Sequence, residues 1–386
     1  MKQYKLLLAL IAGIVLAVQG CKETPTSVGF GILPPGDTPG IRVDTLYASS
    51  YTTVSSAIST FGSDRLLVGK YPGYNALTTI QFTGLPVGLL DSATITDAHI
   101  SLHALYHFGD GSAPLAFRGF ELISSADSAN YDSLTTLAGN YYSANPILVY
   151  PPNVLDDTST IQCAIDTSVV RNWFATTPSV PNYGVILVPT NVTTIKGFGS
   201  FTNSTTTYAP QLVVHYVSNG FADTVIYSSG VSRFIADVPL ATIVSADPQS
   251  MFVQCGVAYR AQLNFRLASL LPRAGLILKA NLELTSNSPL SNLNSFSADT
   301  LSSYFLQTDT TMSALPIFGQ TITSGPNKIY LFAIGDYVRA WANGDTLQRL
   351  EFAGLRETSS LDLFALFGTT SPIAARPRLI ITHIVQ

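Results

Sequence analysis

The chain has 386 residues, of which 46% are hydrophobic and only 11% are charged, and its formal net charge is −4. This composition excludes intrinsic disorder, which requires low hydrophobicity and high net charge. It also lacks the clustered Lys and Arg that phosphate binding needs, so we expect no nucleic-acid partner. Beyond the N-terminus no apolar run reaches the roughly 18 residues of a membrane-spanning helix, which argues against a polytopic membrane protein.

The N-terminal 20 residues have the features of a targeting signal. Lys2 and Lys5 precede an apolar run at 6–18, which is short for a bilayer span and has the length of a secretory signal. The run ends in Val-Gln-Gly before Cys21, and this junction resembles the lipoprotein signal of bacteria. The resemblance implies cleavage after 1–20 and acylation of Cys21, so that lipid holds the protein at the membrane. The alternative is an ordinary secretory signal followed by an accidental cysteine.

Two cysteines remain after the predicted cleavage. Cys163 and Cys255 lie far apart in sequence and form no C-x-x-C motif, so they do not indicate a metal site. In an oxidising compartment they could form a disulfide. The alternative is that both are separately buried thiols that act as small hydrophobic side chains.

The local sequence patterns predict an all-β fold. Short apolar or alternating segments are separated by clusters of Gly, Pro, Asn and Ser, and no long helices alternate with them. This organisation is typical of antiparallel β-sandwiches. The predicted strands include 65–68, 100–106, 183–188, 212–217, 261–267, 276–284, 349–355 and 361–367.

An internal repeat gives the predicted domain count. The two halves share four landmarks in the same order: Phe82 and Phe265, Leu102 and Leu284, Trp173 and Trp341, and Pro210 and Pro377. We therefore predict two tandem antiparallel β-sandwich domains, at 42–217 and 222–386, preceded by a lipid anchor and tether at 21–41. Each copy has the size of an ordinary domain.

A short helix is predicted near the end of each copy. Val170, Trp173 and Phe174 fall on one helical face, as do Val338 and Trp341. Both tryptophans of the chain therefore lie on short helices. We interpret them as core plugs that close one end of each sandwich, with a ligand platform as the alternative.

The order of these landmarks resembles the DNRLRE-type domain, a jelly-roll-like module of secreted bacterial proteins that is akin to carbohydrate-binding modules. The segment 29–34, followed by Asp44-Thr45 and by 66–69, also resembles a family of surface lipoproteins from Bacteroidota. Both resemblances imply a protein of the bacterial cell envelope, at the outer membrane or cell surface.

No motif for metal binding or catalysis emerges from the sequence. His99, His103 and His107 are four residues apart on a predicted strand, so neighbouring rings would lie about 13 Å from each other. A single ion with bonds of about 2.1 Å does not bridge that distance. The sequence also lacks G-x-S-x-G, P-loop and dinucleotide fingerprints. We expect no metal, no cofactor and no enzymatic activity.

Aromatic residues in predicted loops are the candidate ligand-binding residues. Tyr71 and Tyr74 flank a Pro-Gly loop, Tyr106 lies near the end of a strand before a Gly-Asp-Gly loop, and Tyr141 and Tyr142 lie in a polar segment. Such rings can stack on the apolar faces of sugars, so we predict a glycan platform. The alternative is that each tyrosine covers an edge of the core.

These observations predict a non-catalytic envelope lipoprotein that carries a carbohydrate-binding or adhesion module. The alternative is a structural component that assembles with an envelope protein partner, and a polysaccharide-degrading enzyme ranks third. The first copy carries a longer insertion, 106–161, which is richer in aromatic and amide side chains than the matching stretch 290–328. Because functional groups concentrate on long loops, we expect any ligand site on the first domain.

Overall fold

The structure is a computed structural model that describes residues 40–385, except 57, 239, 241–242, 244–246, 268–273, 294–298, 309–310, 314, 325–326 and 345–346. The predicted signal peptide, Cys21 and most of the predicted tether lie outside the described residues. Among the described residues, strands account for 52% and helices for 11%, and the sheets are antiparallel. The predicted all-β sandwich fold is confirmed.

In chain order the strands of the N-terminal part are β1 (Gly40–Tyr47), β2 (Ser50–Ser55), β3 (Arg65–Tyr71), β4 (Tyr74–Gln81), β5 (Thr94–Gly109), β6 (Leu115–Leu122), β7 (Tyr142–Asn153), β8 (Thr160–Ala164), β9 (Val185–Pro189), β10 (Thr194–Gly199), β11 (Gln211–Ser218), β12 (Phe221–Ser228) and β13 (Val231–Asp237). Strand β5 alternates in burial, with every second residue from Ala98 to Phe108 buried, whereas strands such as β3, β4 and β10 are buried along most of their length.

The C-terminal part continues with β14 (Ser250–Gln254), β15 (Tyr259–Asn264), β16 (Ala274–Thr285), β17 (Leu301–Phe305), β18 (Ile317–Phe318), β19 (Gln320–Ser324), β20 (Asn327–Ala333), β21 (Arg349–Gly354), β22 (Leu363–Phe367) and β23 (Arg378–Val385). Short helices within the described ranges are α1 (Tyr131–Thr136), α2 (Ala138–Tyr141), α3 (Thr167–Phe174) and α4 (Gly335–Ala342). None of the described helices has the length and apolar character needed to cross a membrane.

The first sandwich is one curled sheet with the strand order β12-β11-β5-β10-β3-β4-β9-β6-β7, to which β13 adds beside β4 and β8 beside β5. The long strand β5 joins its two layers, because its first part pairs with β11 and β8 and its last part with β10. An apolar core that includes Phe82, Phe117 and Phe174 is enclosed by this sheet.

The second sandwich consists of two separate sheets. One has the order β1-β23-β16-β20-β19, and the other has the order β18-β17-β21-β15-β14-β22 with β2 added beside β15. Its core includes Leu282, Phe332 and Phe352. The order β12-β11-β5 in the first sandwich matches the order β1-β23-β16 in the second, in keeping with the internal repeat.

The first two strands of each repeat belong to the sandwich of the other repeat. Strand β1 pairs along its whole length with β23, and β2 pairs with β15, so both complete the second sandwich. Conversely, β12 pairs with β11 and β13 pairs with β4 in the first sandwich. The sheets thus cross the predicted division at 42–217 and 222–386, because residues 40–55 and 221–237 are exchanged.

The exchange follows from a tight turn at Asn219 and Gly220. Both residues have positive φ, 52° and 83°, which is the backbone of a two-residue hairpin turn that Asn-Gly favours. This turn folds β12 directly back onto β11, so β12 occupies the edge of the first sandwich. The matching edge of the second sandwich is then open to β1.

Each predicted tryptophan helix is present and buried against a core. Trp173 of α3 is 6% exposed and packs in the first core, and Trp341 of α4 is 3% exposed and packs in the second. The carboxylate of Asp166 caps α3 by accepting a 2.8 Å hydrogen bond from the Ser168 N–H. At the equivalent N-cap of α4 stands Ile334, which is buried and makes no side-chain cap.

The two cysteines are free thiols in different cores. Cys163 is buried in the first sandwich and Cys255 in the second, so they do not pair. Burial raises the pKa of the Cys163 thiol to about 12. Burial, and then the charge of Asp362, also raise the pKa of Cys255. Both therefore behave as small hydrophobic side chains rather than reactive groups.

Candidate functional site

The predicted aromatic residues at the β3–β4 turn form a ring cluster with Phe108. The ring centroids of Tyr74 and Phe108 are 4.6 Å apart, and those of Tyr71 and Phe108 are 5.8 Å apart. Gly109, which has positive φ, lies directly against the Tyr71 ring, where a Cβ would collide with it. Burial raises the pKa of Tyr74 to about 12. The two tyrosines are half-buried, so only part of each ring is open to a ligand.

Tyr106 does not contribute to a ligand platform. Its side chain is fully buried, and its hydroxyl accepts a 3.0 Å hydrogen bond from the N–H of Leu361 in the second sandwich. Burial, and then the negative charge of Asp362, raise the pKa of this hydroxyl. The ring belongs to the contact between the two sandwiches, because the alternation of β5 turns it inward rather than toward solvent.

Tyr141 and Tyr142 do not lie together in an open loop. Tyr141 ends helix α2 and Tyr142 begins strand β7. Both are half-buried against a satellite core around Leu134, and the Tyr142 ring lies 5.2 Å from that of Phe120. Both tyrosines therefore cover an edge of the core, which is the alternative to a glycan platform.

A cleft of about 610 Å³ opens where the chain crosses between the two sandwiches. Its walls combine the connection from β2 to β3, a loop of the insertion in the first copy, the end of β13, and the turn between β14 and β15. The residues that line it are Ser56, 58–61, 127–130, 233–238, 256–257 and Tyr259. This volume lies in the range of small-molecule sites, about 300–1,000 Å³.

Hydrogen bonds between distant segments hold the walls of the cleft. The hydroxyl of Thr60 donates to the carbonyl oxygen of Phe234, and the hydroxyl of Tyr259 donates to that of Val238 over 2.6 Å. The first bond ties the β2–β3 connection to β13, and the second ties β13 to the second sandwich. Of the exchanged strands, β13 lines the cleft directly, and these bonds tie its end to the other walls.

Arg233 forms the charged floor of the cleft. Its guanidinium donates hydrogen bonds to the carbonyl oxygens of Ala126 and Ala129 and lies 4.8 Å from the centre of the Phe61 ring. The side chain is 9% exposed, and burial lowers its pKa. Its Nε atom has no hydrogen-bond partner among the described residues. That Nε atom is itself buried, so Arg233 acts on a ligand through its positive charge rather than through this donor.

Polar and aromatic groups lie side by side around this floor. Asp127 and Asn130 are exposed on the insertion loop, whereas Asp237 is half-buried on the opposite wall. Burial, and then the nearby Asp132, raise the pKa of Asp237. Phe61 keeps 37% of its surface exposed. The cleft thus offers carboxylate acceptors, an amide donor on Asn130, a cation and one accessible ring.

The five predicted tyrosines are absent from the described lining of this cleft. The sequence prediction missed it because its walls come from four segments that are distant in the chain and are joined only by the exchange. One signal was available: 127–130 lies within the insertion 106–161, where the sequence placed a ligand site. That placement remains a prediction.

The chain matches no protein-family model, and no curated protein matches it. The resemblances to DNRLRE-type domains and to Bacteroidota surface lipoproteins therefore stay predictions.

Proposed function

We propose that this protein is a non-catalytic lipoprotein of the bacterial cell envelope that binds carbohydrate in the cleft between its sandwiches. The observation that carries the proposal is the combination of the accessible Phe61 ring with Arg233, Asp127 and Asp237 around one opening. Sugars present an apolar C–H face beside polar hydroxyls, and they are bound by aromatic faces next to acceptors and donors.

The proposed contact of each lining residue with a sugar follows from how exposed its side chain is. Phe61 provides a face for the apolar side of a sugar ring, because Arg233 lies over only one side of it. Asp127 accepts hydrogen bonds from sugar hydroxyls at the rim, where it is exposed. Asp237 does the same deeper in the cleft. The Oδ1 of Asn130 caps helix α1 by accepting from a serine of that helix, so Asn130 contributes its Nδ2 donor.

The test is glycan-array and titration binding of the mature chain, using envelope and extracellular polysaccharides as probes. Phe61→Ala is expected to weaken binding at least about tenfold, which corresponds to about 1.4 kcal/mol. Phe201→Ala is the matched control, because Phe201 has the same exposed fraction, 37%, and lies outside the cleft lining. Binding that falls with Tyr71→Ala instead would move the site to the ring cluster.

An assembly role is the second candidate, and the edge strands favour it. Ile41 and Val43 on β1 are each 61% exposed, and Phe221 on β12 is 78% exposed. Each of these strands lies at the end of its sheet, where a partner strand could add. Absence of glycan binding, together with a purified partner whose binding requires Ile41 and Val43, would favour this role.

Lipid anchoring is tested separately from binding. Metabolic labelling with a clickable fatty acid is expected to label the wild-type chain and to fail for Cys21→Ser, because the thioether sulfur is then absent. Cys163→Ser is the control and should label normally, since Cys163 is buried. A Cys21→Ser chain that still takes up the label would contradict the anchor.

A further inference from the structure

The outer face of β5 carries three histidines that have separate environments. The ring of His103 stacks on Tyr208 with centroids 4.0 Å apart, and its Nδ1 lies 2.8 Å from the hydroxyl of Thr160. The Nδ1 of His107 lies 2.5 Å from a carboxylate oxygen of Asp157. The spacing along the strand thus keeps these two side chains apart, as the sequence predicts.

His99 differs because the neighbouring strand brings a second histidine to it. In the register between β5 and β11, Asp97 lies opposite His215 and His99 lies opposite Val213. Residues two apart on a strand share a face, so Asp97, His99 and His215 occupy one patch. Their ligand atoms all lie within 4.8 Å of one another, and the two imidazole centroids are 6.0 Å apart.

We infer that Asp97, His99 and His215 form a binding site for a divalent transition-metal ion of the zinc class. Two imidazoles and one carboxylate are a donor set that such ions prefer, whereas Mg²⁺ and Ca²⁺ prefer oxygen ligands. Tetrahedral bonds of about 2.0–2.2 Å place donor atoms roughly 3.3–3.6 Å apart, so the donor atoms must approach one another by up to about 1.5 Å, which side-chain rotation achieves. Three protein ligands leave one position for water or another ligand.

A hydrogen bond from the next strand orients the second imidazole. The Nδ1 of His215 lies 2.7 Å from the hydroxyl of Thr224, which stands opposite it in the register between β11 and β12. This contact fixes the ring and leaves Nε2 as the ligand atom. Metal-binding histidines characteristically use their other nitrogen in this way.

The site is accessible but held by rigid strands. The side chain of His99 is 12% exposed and that of Asp97 is 55% exposed, so an ion can enter from solvent. The Nδ1 of His99 lies 3.2 Å from the Asp97 carboxylate. An ion pair between Asp97 and His99 involves only those two residues, so it does not explain why the His215 imidazole lies next to them.

The test is Zn²⁺ titration of the full mature chain, purified without a polyhistidine tag and stripped with chelator. We expect saturable binding of one ion per chain, and His99→Ala or His215→Ala should lower the affinity by more than the roughly 10–100-fold typical of losing an outer-shell partner, because each removes a ligand. His103→Ala is the matched control, because it removes an imidazole from the same strand face and should leave affinity unchanged.

Two further measurements keep the outcome decisive. Thr224→Val should weaken Zn²⁺ binding without removing a ligand, and the Co²⁺-loaded chain should show visible absorption bands that His215→Ala abolishes. Circular dichroism will establish that the variants fold, which is expected for substitutions on the outer face. Absence of saturable Zn²⁺ binding, or binding that His99→Ala and His215→Ala leave intact, would overturn the site.

Discussion

Deleting residues 40–55 is expected to unfold the second sandwich and to leave the first one folded. The deletion removes β1 and β2, which pair with β23 and β15 of the second sandwich. It also removes Ala48 from the second core, together with Leu46 and Tyr51, which pack against that core. Loss of one strand from each sheet, together with apolar burial worth about 1.5–3 kcal/mol for each large side chain, is comparable to the roughly 5–15 kcal/mol by which a domain is typically stable.

A side-chain contact strengthens the attachment of β1. The Nε2 of the buried His383 lies 2.9 Å from the carboxylate of Asp44, and this bond lowers the pKa of Asp44. The pairing therefore joins the first described strand to the last one by both backbone and side chains. The N-terminal segment is an integral part of the second sandwich.

Each sandwich contains one of the two tryptophans, so fluorescence can report on them separately. In a Trp173→Phe background the deletion should shift emission of Trp341 to the red, toward that of an exposed indole. In a Trp341→Phe background the emission of Trp173 should stay unchanged. Urea unfolding of each variant provides the quantitative measure.

A complementary deletion serves as the control. Removing 221–237 should unfold the first sandwich, because β13 covers the whole of β4 and supplies the buried Phe234. If loss of 40–55 instead exposed Trp173 and spared Trp341, the strand exchange would be wrong. Equal unfolding of both sandwiches by both deletions would show that neither folds without the other.

Local patterns predict the all-β class, several strands and the two tryptophan helices, whereas strands such as β6, β7 and β13 and the helices α1 and α2 are not among the predicted elements. Alternation of buried and exposed side chains through β5 identifies that strand, and the spacing of Val170, Trp173 and Phe174 identifies α3. These signals depend on neighbouring residues alone, so one sequence contains them in full.

The pairing of the exchanged strands is harder to predict, because the two repeats begin with similar segments. Strands β1 and β12 have the same length and the same burial pattern, so the pattern of either strand fits the edge of either sandwich. Asn219-Gly220 was the one local signal for a hairpin between β11 and β12, and it decides the arrangement. When Asn219-Gly220 is interpreted as a domain boundary instead of a hairpin turn, it predicts separate domains at 42–217 and 222–386.

The candidate sites were missed for the same physical reason. His99 and His215 are brought together by strand pairing rather than by spacing, so a search along β5 alone did not find them. Tyr106 shows the reverse error: it precedes a loop in sequence, but its side chain points into the contact with Leu361. In both cases, contacts between residues that are distant in sequence determine where the side chain lies.

Replacing Trp341 by Ala is expected to lower the free energy of unfolding of the second sandwich by about 3–5 kcal/mol. The ring lies between Phe265 and Phe305, with centroids 5.9 and 6.1 Å away, and only 3% of its surface is exposed. Truncation leaves a cavity that these rings fill only in part. Trp173→Ala should cost a similar amount in the first sandwich, where the ring packs near Phe82.

Trp341→Phe separates packing from polar effects. The Nε1 atom of Trp341 has no hydrogen-bond partner among the described residues, so Phe removes volume without breaking a bond. Its loss of stability should therefore be clearly smaller than that of Trp341→Ala. Urea unfolding followed by circular dichroism measures both, since the indole reporter itself is removed. A Trp341→Ala change that costs less than about 1 kcal/mol would contradict the core role and return this ring to the candidate ligand-binding residues.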